Sequence, residues 1–399
     1  MFAAAALLLA LAIGPFCCFR LYARRVEAMD EPVSERLHRL NRAQQVGGFV
    51  LPFAAILAFA GLGLLERTVD LLGVVAVGPS VFGLGVLEFV VIVGVPFGVV
   101  AVPLLSMALG TYPTVRRLRD TSASSIRVVK GVLAGLAVTA VGVAVAIGGF
   151  VAVTSVFGSS LPVLLGCLGA VVFFTFGLSP YLIAFFHDRV PLEGERRERV
   201  ERLCADLGYE PRGLYLLEGE STKTANALVA GTVPGLRYVF LTDYLLESCD
   251  DDELRAILAH EFGHVAGRHL WQRGLLTVVV FGGFVAVAET VGLDALETQF
   301  GFAGFLVPFM VGYAVYHVVL LGGLAYWQEL RADAYAARVA GEDATVAALE
   351  VLADANDMRH TAGLLYSLAT HHPPVADRIE AVRRVDAAGG DEDRSTASQ

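Results

Sequence analysis

Lysine is nearly missing from this 399-residue chain: Lys130 and Lys223 stand alone, and arginine supplies the other cations. Charge of either sign is scarce, at 18% of residues, where soluble domains carry roughly a quarter. A basic excess is missing too. The formal net charge of −10 excludes a nucleic-acid partner, which would need a basic footprint. The five cysteines (Cys17, Cys18, Cys167, Cys204 and Cys249) form no CxxC pair. That removes a zinc knuckle or a disulfide framework and leaves small buried hydrophobes. The first apolar run, Phe2–Phe19, lacks a basic leader and a small-residue cleavage site, so it reads as a retained span and not a signal peptide. No internal repeat or low-complexity domain is present.

What remains is apolar: 55% of residues, gathered in long runs. After Phe2–Phe19 come Val46–Leu65, Leu71–Gly110, Gly131–Phe157, Leu161–Phe186, Leu275–Gly292 and Phe302–Trp327. Each can cross about 30 Å of hydrocarbon at about 1.5 Å per residue. Two loops are rich in cations. One carries Arg20, Arg24, Arg25, Arg36, Arg39 and Arg42; the other carries Arg116, Arg117, Arg119, Arg127 and Lys130. Both belong in the cytoplasm by the positive-inside rule, so an even number of spans separates them. Val46–Leu65 is one, and Leu71–Gly110 therefore supplies one, at Leu87–Gly110, with its first part re-entrant or interfacial. The expectation is seven spans, the N-terminus outside and the C-terminus inside. The acidic, cation-free loop Glu289–Gly301 fits the outer face, and His187–Gln272 and the chain from Gln328 onward fall in the cytoplasm.

The polar parts show local order. Pro191–Leu207 repeats as a helix, with Val200, Leu203 and Leu207 on one face. Gly213–Leu217 and Gly235–Thr242 read as strands, and Ala225–Val229 between them as an edge strand. Ser248-x-x-Asp251 resembles a capping box before a helix whose stripe is Leu254, Ile257, Leu258, Phe262 and Val265. A further helix runs from the last span through Glu329 to about Ala340, stopped by Gly341. The expected organisation is a five-span region at 1–186, a region with the His260–His264 helix at 187–272, a two-span hairpin at 273–327, a returning segment at 328–385 and a disordered tail at 386–399.

The chemistry concentrates at His260-Glu261-Phe262-Gly263-His264. Four-residue spacing puts both imidazoles on one helix face, one turn apart, where they can share one zinc ion. Glu261 lies about 100° round the helix, near the metal without ligating it. From there it can take a proton from the attacking water and pass it to the leaving amine. One zincin class places its third ligand six residues beyond the second His. Here that position is Leu270, and His269 falls one residue early. The third ligand must come from elsewhere, and Glu329 in Glu329-Leu330-Arg331-Ala332-Asp333 is the best candidate. Asp333, one turn on, can accept the N–H of a ligand histidine.

These residues resemble the motifs of the M48 peptidases, which include the CAAX prenyl proteases and the HtpX heat-shock proteases. His260–His264 with His269 is similar to their HELGHxxxxH element. Glu329-x-x-Ala332-Asp333 is similar to their ExxAD element, which implies Glu329 as third zinc ligand. Thr224-Ala225-Asn226-Ala227 with Gly231 resembles their substrate-strand motif and implies that Asn226 contacts substrate. His372-Pro373-Pro374 with Arg378-Ile379 resembles their C-terminal element, which implies His372 and Arg378 beside the scissile carbonyl. His371 is the competing neighbour for the first role. Ala325-Tyr326 stand where the family usually has Ser-Arg. The four motifs fall in family order between Thr224 and Ile379.

The expected fold is a multi-pass α-helical membrane protein of about seven transmembrane helices, with a cytoplasmic, mainly helical α+β protease domain of zincin type carrying a small sheet. The expected function is a zinc-dependent endopeptidase in the cell membrane with one Zn2+ per chain. Its partners would be the lipid bilayer and peptide or membrane-protein substrates, met in quality control or in CAAX-type processing. A membrane sensor or scaffold that keeps the zinc fold without catalysis is the alternative, and the intact Glu261 argues against it. A transporter would need charges along a path through the membrane, and few are present. His317, with Tyr313 and Tyr316 in the last span, lines a polar cavity or is a satisfied histidine within the bundle. Glu88 reads as an interfacial acid, His187 and Asp188 as markers of the membrane edge, and His360 as a surface residue.

Overall fold

A computed structural model describes residues 2–384 apart from 65–66, 69–79, 82–83, 123, 159, 178–188, 220–222, 232–234, 236, 292–301, 357 and 359. Outside the described residues lie most of the stretch read as re-entrant, His187 and Asp188, most of the acidic loop Glu289–Gly301, and the tail. The chain forms two compact units, Met1–Leu168 with Val285–Val307, and Gly169–Phe284 with Pro308–Gln399.

The first unit is built on α1 (Phe2–Glu27), α2 (Val33–Gly61), α3 (Val86–Arg119) and α4 (Ser125–Phe157), with a short β1–β2 ribbon (Ser80–Val81 and Leu84–Gly85) before α3. Arginine ends α1 and α3, where Arg117 grips the Glu27 carboxylate with two bonds of 2.7 Å. Ala23, Val26 and Leu40 bury completely beneath this pair. Among the described residues, five helices are long and apolar enough to cross a membrane: Ala4–Glu27, Val33–Gly61, Gly94–Arg119, Ser125–Phe157 and Pro308–Ala340. The apolar α5 (Leu161–Gly177) is shorter.

The second unit carries a four-stranded mixed sheet. Its strands are β3 (Arg189–Pro191), β4 (Gly213–Leu217), β5 (Ala227–Ala230) and β6 (Tyr238–Thr242), in the order β3-β4-β6-β5. β4 and β6 run parallel, with Leu214 opposite Val239; β5 pairs antiparallel to β6, with Val229 opposite Val239. Val239, Phe240 and Leu241 are consecutive and all buried, as a strand covered on both faces requires. Against the sheet side pack α6 (Gly194–Asp206), α7 (Asp243–Ser248) and α8 (Asp251–Ala266). Leu254, Ile257, Leu258 and Phe262 of α8 enter this core, and Val265 lies at its rim.

The capping box sits two residues later than Ser248 suggests. Asp250 accepts from the Glu253 N–H, and Glu253 accepts from the Asp250 N–H, each at 2.9 Å. Carboxylates accept such bonds more strongly than a hydroxyl, and two more acids, Asp251 and Asp252, lie in the first turn. Ser248 instead ends α7 and donates back to the Tyr244 carbonyl at 2.7 Å.

Beyond the sheet, α9 (His269–Val291) follows α8 after a left-handed Arg268. α10 (Phe302–Ala314) passes through a π-helical segment, Val315–Leu321, into α11 (Gly322–Ala340), which ends at Gly341 with φ +99°. α12 (Glu342–Ala355), α13 (Leu364–Thr370) and α14 (375–384) complete the unit. α11 is the main partner of α8. Gly263 sets how closely they meet: a Cβ there would lie 3.0 Å from the Ala332 Cα. The small residues inside the two motifs are therefore packing residues, chosen by the distance between the helices.

Candidate metal centre

His260 and His264 leave the same face of α8, one turn apart, and their Nε2 atoms lie 3.2 Å from each other. Glu329 comes from α11, only 5% exposed. Its Oε2 is 3.7 Å from His260 Nε2 and its Oε1 is 3.4 Å from His264 Nε2. Among the described residues this is the one group of three side chains placed to hold a metal ion.

The surrounding bonds decide what those nitrogens present. Asp333, one turn beyond Glu329 and wholly buried, takes Arg378 Nε and Nη2 at 2.7 Å each. It is then an acceptor only, and its Oδ1 is 2.8 Å from His260 Nδ1. A neutral His260 that donates its Nδ1–H to Asp333 presents a bare Nε2. Burial opposes a charge on His260, but Asp333 more than offsets it and raises its pKa. On the other side, His264 Nδ1 lies 2.7 Å from Nδ1 of the buried His269. Burial first, and His260 second, push the His264 pKa down to about 3, so this ring is neutral. Donation of its Nδ1–H to His269 would leave its Nε2 bare as well.

Two bare nitrogens and a carboxylate facing one another repel unless a cation or proton lies between them. Zinc bound at about 2.0–2.1 Å by tetrahedral ligands holds those ligands about 3.4 Å apart. The separations of 3.2, 3.4 and 3.7 Å fit that ion. The nitrogen and carboxylate donors suit it too.

Glu261 follows His260 in α8. Burial, the largest influence, raises its pKa to about 6, while His260 and a backbone hydrogen bond from Val229 of β5 lower it. His372 Nδ1 comes within 3.3 Å of Glu329 Oε2, with most of its ring in solvent. Its neighbour His371 turns away: left-handed at φ +63°, it ends α13 and directs Nε2 to the His317 carbonyl at 3.1 Å. Arg378 Nη2 is 3.9 Å from Glu329. Asn226 is the outlier. Its backbone bonds Thr242 at 2.9 and 3.0 Å, its side chain is exposed, and no bond joins it to the three metal-facing groups.

Three contributors were not legible as such. His269 was noticed by its spacing, but its hydrogen bond to His264 depends on the turn at Arg268. Gln328 is completely buried beside Glu329, a place from which hydropathy would exclude it. Asn356 holds the chain just before β5, accepting from Ala225 N–H at 3.1 Å and donating to Ala225 O at 2.8 Å. Nothing in the local sequence links it to that strand.

The family model for Peptidase family M48 matches residues 192–386. The chain is 29% identical over 222 residues to CAAX prenyl protease 1 homolog of Arabidopsis thaliana, covering 51% of this chain and 51% of that protein. It is 32% identical over 214 residues to Protease HtpX of Pseudomonas aeruginosa (strain LESB58), covering 47% of this chain and 70% of that one. The chain thus spans about half the length of the CAAX prenyl protease 1 homologs it matches. The crystal structure of S. mikatae Ste24p shares its fold, with a TM-score of 0.68 over 94% of this chain and 98% of that one, at 18% identity.

Proposed function

Because the chain belongs to peptidase family M48, we propose that it is a membrane-bound zinc endopeptidase with His260, His264 and Glu329 as metal ligands and Glu261 as general base. The observation that carries this reading is the convergence of two imidazole Nε2 atoms and a buried carboxylate, with Glu261 on the adjoining residue. A zinc ion held there would lower the pKa of a bound water toward about 7 and polarise a carbonyl.

The chain's own residues supply the rest. Glu261 accepts the proton of the attacking water and returns it to the leaving amine. Asp333 fixes the His260 ring and His269 fixes the His264 ring, so neither ligand must reorient. Arg378 neutralises Asp333 and keeps that carboxylate from competing for the metal. His372 stands at the solvent side of Glu329, where its ring can donate to the oxygen on which negative charge develops. β5, preceded by Asn226, is an edge strand, along which an extended substrate can add.

The seven-span topology, with this site at the cytoplasmic face, is part of the same proposal, and so are the region boundaries set by the spans. Substrates are peptide segments, drawn from membrane proteins in quality control or presented for defined processing of the kind named in the CAAX prenyl protease relatives. The test is Glu261→Gln in the full-length protein, with cleavage of an unstructured reporter and bound zinc both measured. Turnover should fall by about 10²- to 10⁴-fold while zinc is retained. Undiminished turnover would remove Glu261 as base. Stoichiometric zinc with no proteolysis by the unaltered protein would favour the non-catalytic sensor.

A further inference from the structure

Two arginines stand near the metal-facing groups, and they differ in one respect. Arg378 is neutralised by the two bonds it donates to Asp333. Arg273, one turn into α9, has no carboxylate in contact among the described residues. Among the described residues its side chain has one hydrogen-bond partner, the Oε1 of Gln328, which accepts from Nε at 2.7 Å.

Gln328 is not a casual neighbour. It is wholly buried, and its amide nitrogen donates to His269 O at 3.2 Å and to Gln272 Oε1 at 2.8 Å. Gln272 in turn donates to Gly267 O at 3.0 Å. With both amide hydrogens used, Oε1 has a fixed direction, and Arg273 Nε is held on it. The bond spends one of the five guanidinium N–H groups and leaves the Nη1–Nη2 fork unused. Arg273 is only partly buried, so part of its side chain meets solvent.

Gln328 directly precedes Glu329 in α11 and its amide meets the carbonyl of His269, so the bond to Gln328 places Arg273 beside the metal-facing groups. A half-buried cation held in place by a neutral amide carries a desolvation cost with no ion pair to offset it. A planar fork with a fixed direction is suited to a bidentate carboxylate.

We infer that Arg273 is the substrate-anchoring cation of this site: its free Nη1–Nη2 fork binds a carboxylate of the peptide being cleaved. Gln328 acts as the positioning residue that aims it. The carboxylate is the free C-terminus or an acidic side chain, and both offer the same two oxygens. The inference rests on the peptidase reading above.

The experiment uses zinc-loaded, full-length protein in neutral detergent and two matched peptide pairs. One pair differs only in a free or amidated C-terminus, the other only in an internal Glu or Gln. The unaltered protein should favour the carboxylate member of one pair by about tenfold, mainly through KM. Arg273→Gln should bring that ratio close to one, and Arg273→Lys should keep part of it. The pair that loses its preference identifies the carboxylate. Equal ratios in the unaltered protein and Arg273→Gln, in both pairs, would overturn the inference. So would an effect of Arg273→Gln seen only on vesicles containing phosphatidylglycerol, which would make the fork a lipid-phosphate site. If Arg273→Gln loses zinc or melts early, Arg273→Lys carries the comparison, because an ammonium cannot form the two parallel bonds. A protein no faster than its Glu261→Gln variant on any peptide would sink the peptidase reading itself, and that result is distinct from intact turnover with unchanged ratios.

Discussion

Glu261 is the residue whose chemistry depends most on its surroundings. An exposed glutamate is ionised well below neutral pH, but burial raises this one to about 6. A general base must be ionised to work, so kcat/KM should fall as pH drops through about 6 and level off above it. A bound dication favours the carboxylate and can only move this limb downward. Activity that rises steadily from pH 7 to pH 5 would contradict the assignment. His264 adds no limb in this range, since its pKa lies near 3. At this scale the sequence was informative where chemistry is local. Spacing of four puts His260 and His264 on one face whatever surrounds them. It was silent where chemistry arrives through the fold, as with the choice between His371 and His372. Their separation comes from one left-handed residue, which sends the first ring to His317 O and leaves the second beside Glu329.

Strands and helices were read best where a periodic face met a single core. α8 shows its stripe in the sequence because one side packs on the sheet. β3 was missed because three exposed residues carry no alternation. The π segment was missed because an apolar run looks the same in either winding. β5 is the element on which substrate binding would depend, and it is short, at an edge, and secured at its start by Asn356. Asn356→Ala should remove two backbone-directed bonds, each worth about 1 kcal/mol net. The expected outcome is a several-fold rise in KM with kcat and zinc content little changed. A loss confined to kcat would argue that β5 positions Glu261, through Val229, and not the substrate.

Across the whole molecule, five helices among the described residues meet the requirement for a membrane span. The two runs not among them, Leu161–Phe186 and Leu275–Gly292, each extend past the described helix, at Gly177 and Val291. The candidate metal centre joins segments from distant parts of the chain, and His260, His264 and Glu329 converge at its centre. Metal should therefore stabilise the fold as well as catalyse. Adding zinc at about 1,000 times its Kd to chelated protein should contribute about 4 kcal/mol and raise Tm. A Tm indifferent to chelator would mean that these side chains hold no ion.

The π-helical stretch Val315–Leu321 lies upstream of Glu329 in the same continuous helix. Each residue of an α-helix turns the chain by about 100°, so one residue more or less would swing Glu329 and Asp333 off the site. A π turn takes in one residue more than an α turn and can absorb such a change. This helix therefore works like a shaft with a keyed coupling. Upstream of the key, its length can answer to the thickness of the bilayer. Downstream, its rotational phase can answer to the metal, and neither requirement need dictate the other.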